Sequence, residues 1–213
     1  ERVVTELDGS DIAVINTYDT LKKHEEEYIY YRNDHHQTAL GSYYTYCEIA
    51  KAYDLEVNEF SNYEMKPLAK DFLGTNYSKA PILSKKPDEV RQFSLKQGPT
   101  FTVEGPNDDY KLDGLFDYDK LKQKDKYMAY IGGNHPLTVI KSDAGTGRNL
   151  AIFKDSYSHS IIPFLAAHYD TIHLLDLRYF TTGMYQYLLA NNIDEVLFLY
   201  SDASFLSGSN ISK

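Results

Sequence analysis

The chain contains no tryptophan, only one cysteine, no surplus of basic residues and no long apolar run. The single cysteine, Cys47, excludes an internal disulfide, and its place in a helical pattern favours a position in the core. The formal net charge of −9 leaves no basic surface for phosphates, so we expect no nucleic-acid partner. A membrane-spanning helix needs roughly 20 apolar residues in a row, and the sequence has no such run.

Hydrophobic residues make up 42% of the 213 residues, which is enough for one sizeable core. From about residue 127 onward, short apolar runs alternate with helical patterns. The runs MAYI, LAIF, IHLLDL and VLFLY are typical of strands, and IIPFLAAHY and TTGMYQYLLANN of helices. Such alternation predicts parallel strands with crossover helices and ligand sites at the carboxyl ends of the strands. We therefore predict one α/β domain over residues 1–213 with a central, mostly parallel sheet.

The N-terminal side follows the same pattern. DIAVINTYD and YIYYR are predicted strands, and TALGSYYTYCEIAKAY is a predicted helix that begins near Thr38. Residues 55–126 interrupt the pattern, because they hold five of the seven prolines and no long helix. We expect an irregular β-containing insertion there, acting as a lid or a substrate-recognition cap.

Ser156 follows the predicted strand LAIF in KDSYSHS. A serine in a tight strand-to-helix turn is presented as a nucleophile needs to be, and the free N–H groups of the helix can bind an oxyanion. Capping of that helix by Asp155, Ser156 or Ser158 is the alternative.

Asp34 and His36 lie two residues apart at the end of an extended run, so their side chains point to one side. Asp34 can then orient His36 as a general base, as in a catalytic triad. Helix capping by Asp34 or Thr38 is one alternative. A di-metal phosphoesterase with a DHH motif is another, but only scattered aspartates precede this motif.

Two further motifs follow predicted strands. GGNHP can bring Asn134 and the backbone of Gly133 to the same edge as oxyanion donors, or form a simple two-glycine turn. Arg178 can bind an anionic or sugar group, or form an ion pair with Asp176.

Together, YYRNDHHQTALGSYYTY, GGNHP and KDSYSHSIIPFLAAHYDTIHLLDLRYF resemble the DHHW family of bacterial proteins. That family is related to the SGNH hydrolases and to alginate O-acetylation proteins, and the likeness runs from about Tyr28 to the last strand. It implies an SGNH-hydrolase-like three-layer fold. It also implies a serine esterase or O-acetyltransferase that acts on acyl groups of extracellular polysaccharide, with no metal or nucleotide cofactor.

The resemblance also assigns roles to residues. Ser156 matches the nucleophile, and Asp34 and His36 match the Asp-x-His pair. The other expected site residues are the oxyanion- or substrate-binding Tyr157, Asn134, Gly133 and Arg178 and the supporting His35, Gln37 and Asp155. Gln37 stands where the family name calls for Trp, and Lys154 and Asp155 precede Ser156 where SGNH enzymes have a glycine near the nucleophile.

Since the sequence starts at Glu1 and its first residues form no signal peptide, we expect an upstream segment that carries targeting information. The resemblance implies an extracellular or membrane-anchored protein and a membrane-bound acyl-donor partner. The alternative is a non-catalytic glycan-binding or cell-envelope assembly protein, which Gln37 favours. Hydrogen-bond reach between Ser156 Oγ and His36 would favour the enzyme.

Overall fold

The computed structural model describes residues 2–7, 9–81, 86–106, 110–181 and 183–207, which form helices on both sides of a central sheet. The helices are α1 (Arg2–Leu7), α2 (Tyr18–Lys23), α3 (Ala39–Ala52), α4 (Thr75–Lys79), α5 (Ile162–Leu165), α6 (Met184–Ala190) and α7 (Asp202–Leu206). The strands are β1 (Tyr63–Phe72), β2 (Asp88–Leu95), β3 (Phe101–Glu104), β4 (Lys111–Asp113), β5 (Leu137–Ser142), β6 (Asn149–Lys154), β7 (Thr171–Leu175) and β8 (Glu195–Leu199).

The central sheet has six strands in the order β4-β3-β5-β7-β6-β8. Strands β7, β6 and β8 are parallel, with Asn149 opposite Thr171 and Leu150 opposite Glu195. Strands β4, β3 and β5 pair antiparallel to their neighbours. The predicted α/β class is confirmed, but the sheet is mixed rather than mostly parallel. The cause is that β3 and β4 are joined by a short connection, which antiparallel strands allow without a crossover helix.

Side chains of β6 alternate between two apolar clusters, as expected for a strand buried on both faces. Leu150 and Ile152 join the larger cluster, which includes Tyr46 of α3 and Phe164 of α5. Ala151, Phe153 and other residues pack on the opposite face against α6. The two clusters give the three-layer arrangement. No helix in the described ranges is long and apolar enough to cross a membrane.

Three apolar runs that the pattern predicts as strands do not form ladders. DIAVINTYD has no strand, and MAYI falls in and after a 3₁₀ turn at Lys126–Ala129. YIYYR makes only one β-bridge, between Tyr30 and Gln37, because the chain folds back on itself within a few residues. Its aromatic side chains are held by loop packing, with Tyr31 5% exposed.

The segment predicted as an insertion, residues 55–126, divides into two parts. Strands β1 and β2 form a separate antiparallel two-stranded sheet. Strands β3 and β4 instead extend the central sheet at its edge, with Phe101 opposite Ser142. The insertion outside the central sheet is therefore shorter than the predicted residues 55–126, because β3 and β4 belong to that sheet. It also contains α4, which reaches the candidate active site.

Candidate active site

A tight loop between residues 28 and 38 presents Asp34 and His36. The Tyr31 N–H donates to the His36 carbonyl at 3.2 Å, and the Thr38 N–H donates to the Ile29 carbonyl at 2.9 Å. Thr38 then caps α3, since its hydroxyl accepts from the Gly41 N–H. The structure assigns the cap to Thr38, which leaves the Asp34 carboxylate available for His36.

Asp34, His36 and Ser156 form one hydrogen-bonded line. His36 Nδ1 lies 2.5 Å from Asp34 Oδ1, and His36 Nε2 lies 2.8 Å from Ser156 Oγ. Asp34 and His36 are each 2% exposed, whereas Ser156 is partly exposed. Solvent and ligands therefore reach the serine and not the two groups behind it.

Ser156 lies one residue beyond the end of β6 and begins a 3₁₀ turn at Ser156–Ser158. Asp155 caps this turn, because its Oδ1 accepts from the Tyr157 N–H at 2.9 Å. Its Oδ2 accepts from the Ser201 N–H at 3.0 Å and the Ser201 hydroxyl at 2.7 Å. Asp155 thus takes the capping role, and the Ser156 hydroxyl is left to His36.

Thr75, a residue outside the predicted site, holds the second oxygen of Asp34. The Thr75 N–H and hydroxyl donate to Asp34 Oδ2 at 2.8 and 2.9 Å. Burial raises the pKa of the Asp34 carboxyl, but hydrogen bonds from His36 and Thr75 outweigh burial and hold that pKa well below its usual range. The preceding Gly74 is equally constrained, since a Cβ there would lie 2.3 Å from Asp34 side-chain atoms.

Aromatic rings fix the His36 imidazole. Tyr127 stacks on it with ring centroids 3.7 Å apart and planes 9° from parallel. The buried Tyr127 hydroxyl donates to the Ser156 carbonyl at 3.0 Å, so the same side chain touches both the base and the serine's backbone. Tyr157 contacts the imidazole as well, with a centroid distance of 5.1 Å. Tyr127 directly precedes the run MAYI and was not among the predicted site residues.

Buried Asp88, the first residue of β2, anchors the loop that carries Asp34. Its carboxylate accepts from the Tyr28 hydroxyl, from the Arg32 N–H at 3.2 Å and from the Asn33 N–H at 2.9 Å. Arg32 also forms an ion pair with it. The small β1–β2 sheet therefore positions the loop that carries Asp34 through Asp88.

His35 and Gln37 flank the triad in different ways. His35 Nδ1 lies 2.5 Å from Thr75 Oγ1, and burial lowers the pKa of its imidazole. Gln37, in the place of the family's Trp, is 7% exposed. Its amide exchanges hydrogen bonds with the Thr45 hydroxyl at 3.1 and 3.2 Å and donates to the Tyr30 hydroxyl at 3.4 Å.

Two of the predicted oxyanion donors, the Tyr157 and Gly133 N–H groups, have other acceptors in this structure. The Tyr157 N–H bonds Asp155, and the Gly133 N–H donates to the Tyr130 carbonyl at 3.2 Å. The Asn134 side chain is exposed and accepts from Arg178 Nη2 at 3.4 Å. The oxyanion roles of Tyr157 and Gly133 therefore stay predictions that require a rearrangement of hydrogen bonds, and the role of Asn134 stays a prediction.

Arg178 is bound to Asp176 through two nitrogens, at 2.8 and 2.6 Å, so the ion-pair alternative is present. Asp176 also lies 3.8 Å from the ammonium of buried Lys154, and that ammonium lies 2.8 Å from His159 Nε2. Burial lowers the pKa of Lys154 to about 8, although Asp176 partly offsets it. Lys154 and His159 flank the turn Ser156–Ser158 in the chain, so this charged group adjoins the turn that carries Ser156.

Asp34, His35 and His36 also have the residue types that bind metal ions. Asp34, His35 and His36 each offer a ligand atom, and these atoms lie within 4.8 Å of one another. In this structure, however, both Asp34 oxygens and both His36 nitrogens already form hydrogen bonds within the protein.

The chain is similar to known proteins in sequence and in fold. A family model described as "DHHW protein" matches residues 9–175, which is most of the chain. A solved DHHW family protein from Eubacterium siraeum is 27% identical, with a TM-score of 0.76; the match covers 89% of this chain and 64% of that one. This chain thus spans less than two thirds of that relative's length. No match was found among the curated proteins.

Two further solved structures share the fold. Bacillus cereus PatB1 with a sulfonyl adduct is 21% identical, with a TM-score of 0.75 and coverage of 95% of this chain and 71% of that one. The O-acetyltransferase domain of Pseudomonas putida AlgJ is 9% identical, with a TM-score of 0.53 and coverage of 99% and 66%. These likenesses confirm the predicted SGNH-hydrolase-like fold. With the family model covering most of its length, the chain belongs to the DHHW family.

Proposed function

We propose that this protein is a serine-dependent esterase or O-acetyltransferase that acts on acetyl groups of an extracellular polysaccharide. One observation carries the proposal: the continuous hydrogen-bonded line from Asp34 through His36 to Ser156, with spacings of 2.5 and 2.8 Å. A buried carboxylate, an oriented imidazole and a partly exposed hydroxyl are the groups that acyl transfer requires.

In the first half-reaction, Ser156 Oγ attacks the carbonyl carbon of the ester while His36 Nε2 takes the hydroxyl proton. Asp34 keeps the other imidazole proton on Nδ1 and stabilises the imidazolium that forms. When the tetrahedral intermediate collapses, the sugar oxygen leaves with the proton from His36, and the acetyl group remains on Ser156.

In the second half-reaction, an acceptor hydroxyl gives its proton to His36 and attacks the acetyl carbonyl, and the serine regains its proton. Water as acceptor yields acetate, and a sugar hydroxyl yields a new ester. For the Tyr157 N–H to bind the oxyanion, it must exchange Asp155 Oδ1 for the substrate oxygen.

Related structures support this chemistry by analogy. The AlgJ domain is described as an O-acetyltransferase, and PatB1 was solved with a sulfonyl adduct. Sulfonyl reagents form adducts with activated nucleophiles such as serine hydroxyls. A membrane-bound acyl donor as partner and a position at the cell surface belong to the same proposal.

The non-catalytic alternative rested on Gln37 in place of Trp. In the structure, the Gln37 amide forms a hydrogen bond with the Thr45 hydroxyl. Gln37 does not block the triad, because Ser156 Oγ lies within hydrogen-bond reach of His36. The geometry therefore favours the enzyme over a glycan-binding protein without activity.

Hydrolysis of p-nitrophenyl acetate tests the proposal. We expect the purified protein to hydrolyse this ester and the Ser156→Ala and His36→Ala variants to lose turnover by a factor of about 10³ or more. Ser94→Ala and His24→Ala, which alter residues away from the triad, serve as matched controls. Turnover that survives in Ser156→Ala with an intact fold would contradict the proposal.

A further inference from the structure

Three buried hydroxyl groups connect α3 to the backbone of the reactive serine, and the catalytic proposal assigns them no role. They belong to Ser42 of α3, to Ser160 and to Tyr127, and each of these residues is at most 1% exposed. The Ser42 hydroxyl donates to Ser160 Oγ at 2.7 Å, and Ser160 Oγ lies 3.0 Å from the Tyr127 hydroxyl. The Tyr127 hydroxyl in turn donates to the Ser156 carbonyl. Together the three groups form a hydroxyl chain that ends on Ser156.

The direction of each hydrogen bond in the hydroxyl chain is determined by its end. A carbonyl oxygen can only accept, so the single proton of the Tyr127 hydroxyl goes to Ser156. Ser160 must therefore donate to the Tyr127 oxygen with its hydroxyl, and its N–H donates to the same oxygen at 3.3 Å. Burial raises the pKa of the Tyr127 hydroxyl well above its usual range, so this group keeps its proton and remains a donor.

The hydroxyl chain joins the two segments that carry the catalytic base and the nucleophile. Helix α3 follows the loop of His36, and Ser42 lies in its first turn. At the other end of the chain, the Tyr127 ring stacks on His36 while its hydroxyl binds the Ser156 carbonyl. The contact between His36 Nε2 and Ser156 Oγ is therefore supported by buried groups that do not themselves react.

We propose that Ser42, Ser160 and Tyr127 are positioning residues, whose hydroxyl chain holds the Ser156 backbone where its Oγ stays within hydrogen-bond reach of His36. The inference rests on the proposed function and adds residues that set the geometry of the reacting pair. A buried polar network whose members all have partners is rigid, and a displacement of about 1 Å between catalytic groups can cost about 100-fold in rate.

Tyr127→Phe keeps the ring on His36 and removes the proton donated to Ser156. Both half-reactions use the same two atoms, so we expect kcat for p-nitrophenyl acetate to fall by about tenfold while KM stays within about twofold. Tyr130→Phe is the matched control, because Tyr130 is equally buried, packs 5.3 Å from the Tyr127 ring and donates to the Arg91 carbonyl at 2.6 Å. It should lose a similar amount of unfolding free energy and keep kcat.

Ser160→Ala tests whether the hydroxyl groups act as one chain. We expect the variant to lower kcat by about threefold in the wild-type background. In the Tyr127→Phe background it should have no further effect on kcat, because Ser160 reaches Ser156 only through the Tyr127 hydroxyl. Effects of the two substitutions that multiply independently would contradict the chain.

Crystal structures of the wild type, Tyr127→Phe and Tyr130→Phe separate this inference from the catalytic proposal. We expect Ser156 Oγ and His36 Nε2 to lie more than about 3.5 Å apart in Tyr127→Phe alone. An unchanged separation in Tyr127→Phe would overturn the positioning role, whatever the value of kcat, and would leave the catalytic proposal intact. A widened separation in a protein whose wild type has no esterase turnover would support the positioning role and contradict the catalytic proposal.

Discussion

At the scale of single residues, Asp34 serves two partners with its two oxygens. Oδ1 accepts from His36, and Oδ2 accepts twice from Thr75. A carboxylate fixed at both oxygens cannot rotate away from the imidazole, so the tautomer of His36 is set before a substrate arrives. The hydrogen bonds of the two oxygens can be tested separately by substitution.

Asp34→Asn tests the contact with His36. The amide is uncharged and cannot stabilise the imidazolium, so we expect kcat for ester hydrolysis to fall by about 10³ to 10⁴ with little change in KM. Steady-state kinetics on p-nitrophenyl acetate will measure both constants. A fall of less than about tenfold in a folded variant would contradict the assigned role of Asp34.

Thr75→Val tests the other oxygen. We expect the variant to lose about 1 to 3 kcal/mol of unfolding free energy at pH 7, because a hydrogen bond to a buried carboxylate is removed. The pKa of Asp34 is lower in the folded state, so its contribution to stability is complete above the unfolded value of about 3.9 and is lost as the pH falls through the folded pKa. The gap between the wild type and the variant should therefore persist down to about pH 4 and narrow only as the pH falls further, towards the folded pKa of Asp34.

Urea unfolding at pH 7 and at several values from pH 4 down to pH 2 will measure this narrowing. Thr75→Ser, which keeps the hydroxyl, is the matched control and should stay close to the wild type at every value. A gap between wild type and Thr75→Val that is as large at pH 2 as at pH 7 would show that the loss does not pass through Asp34.

At the scale of elements, the candidate active site is assembled from three loops, each held by a neighbouring element. Asp88 of β2 fixes the loop of Asp34, the start of α4 supplies Thr75, and Asp155 joins the Ser156 turn to Ser201, the cap of α7. Side chains at loops are positioned by such buried hydrogen bonds and not by ladder pairing.

Gly74→Ala tests the close approach of α4 to the Asp34 loop. A Cβ at this position would lie 2.3 Å from Asp34, so the carboxylate or α4 must shift. We expect kcat to fall by more than about tenfold, since misplaced catalytic groups lose rate steeply. Gly183→Ala is the matched control, because its new Cβ meets only the flexible end of Gln186. Full activity in Gly74→Ala would contradict the arrangement.

Asp88→Ala tests the anchor of the loop. The change leaves buried donors from Arg32 and Asn33 without their acceptor, so we expect a loss of about 2 to 4 kcal/mol of unfolding free energy. Asp143→Ala removes an exposed carboxylate that also accepts from a backbone N–H and should cost less than about 1 kcal/mol. Denaturant titrations compare the two, and equal losses would contradict a special role for Asp88.

Elements with clear periodicity were predictable from the sequence, and the others were not. The helical pattern from Thr38 gave α3, and LAIF, IHLLDL and VLFLY gave β6, β7 and β8. YIYYR and MAYI are as apolar, but they fold into loops in which Tyr31 and Tyr130 are buried by tertiary contacts. A short apolar run does not distinguish these two outcomes.

At the scale of the whole molecule, the fold closes a separation of 120 residues between His36 and Ser156. The sequence indicated that His36 and Ser156 come together, because each residue follows an apolar run and is of a type that takes part in acyl-transfer catalysis. Thr75 and Asp88 gave no such signal, since they act through buried hydrogen bonds from a segment that reads as an insertion. Gly74 before Thr75 is the one local feature that indicates a close approach.

The buried ion cluster behind the serine makes a prediction for the stability of the whole protein. The pKa of Lys154 is about 8 in the folded state, below its unfolded value of about 10.4, so the unfolded chain binds more protons between these values. This group therefore makes the folded state more stable as the pH rises from about 8. Buried tyrosines act in the opposite direction above about pH 10.

Lys154→Met removes the contribution of the lysine to the pH dependence of the unfolding free energy and leaves that of the tyrosines unchanged. We expect the unfolding free energy of the wild type, relative to that of the variant, to rise between pH 7 and pH 9.5. Thermal or urea unfolding across this range will measure the difference. A difference that is constant with pH would contradict a lowered pKa for Lys154.

The central claim is that Ser156 becomes acetylated by way of His36, and trapping the acyl-enzyme tests it most directly. The protein is mixed with p-nitrophenyl acetate, quenched in acid within the first turnovers, and digested for peptide mass spectrometry. We predict one acetyl group on Ser156 in the wild type and none there in Ser156→Ala or His36→Ala. Hydrolysis that proceeds with Ser156 unmodified, or with the acetyl group on another residue, would contradict the account.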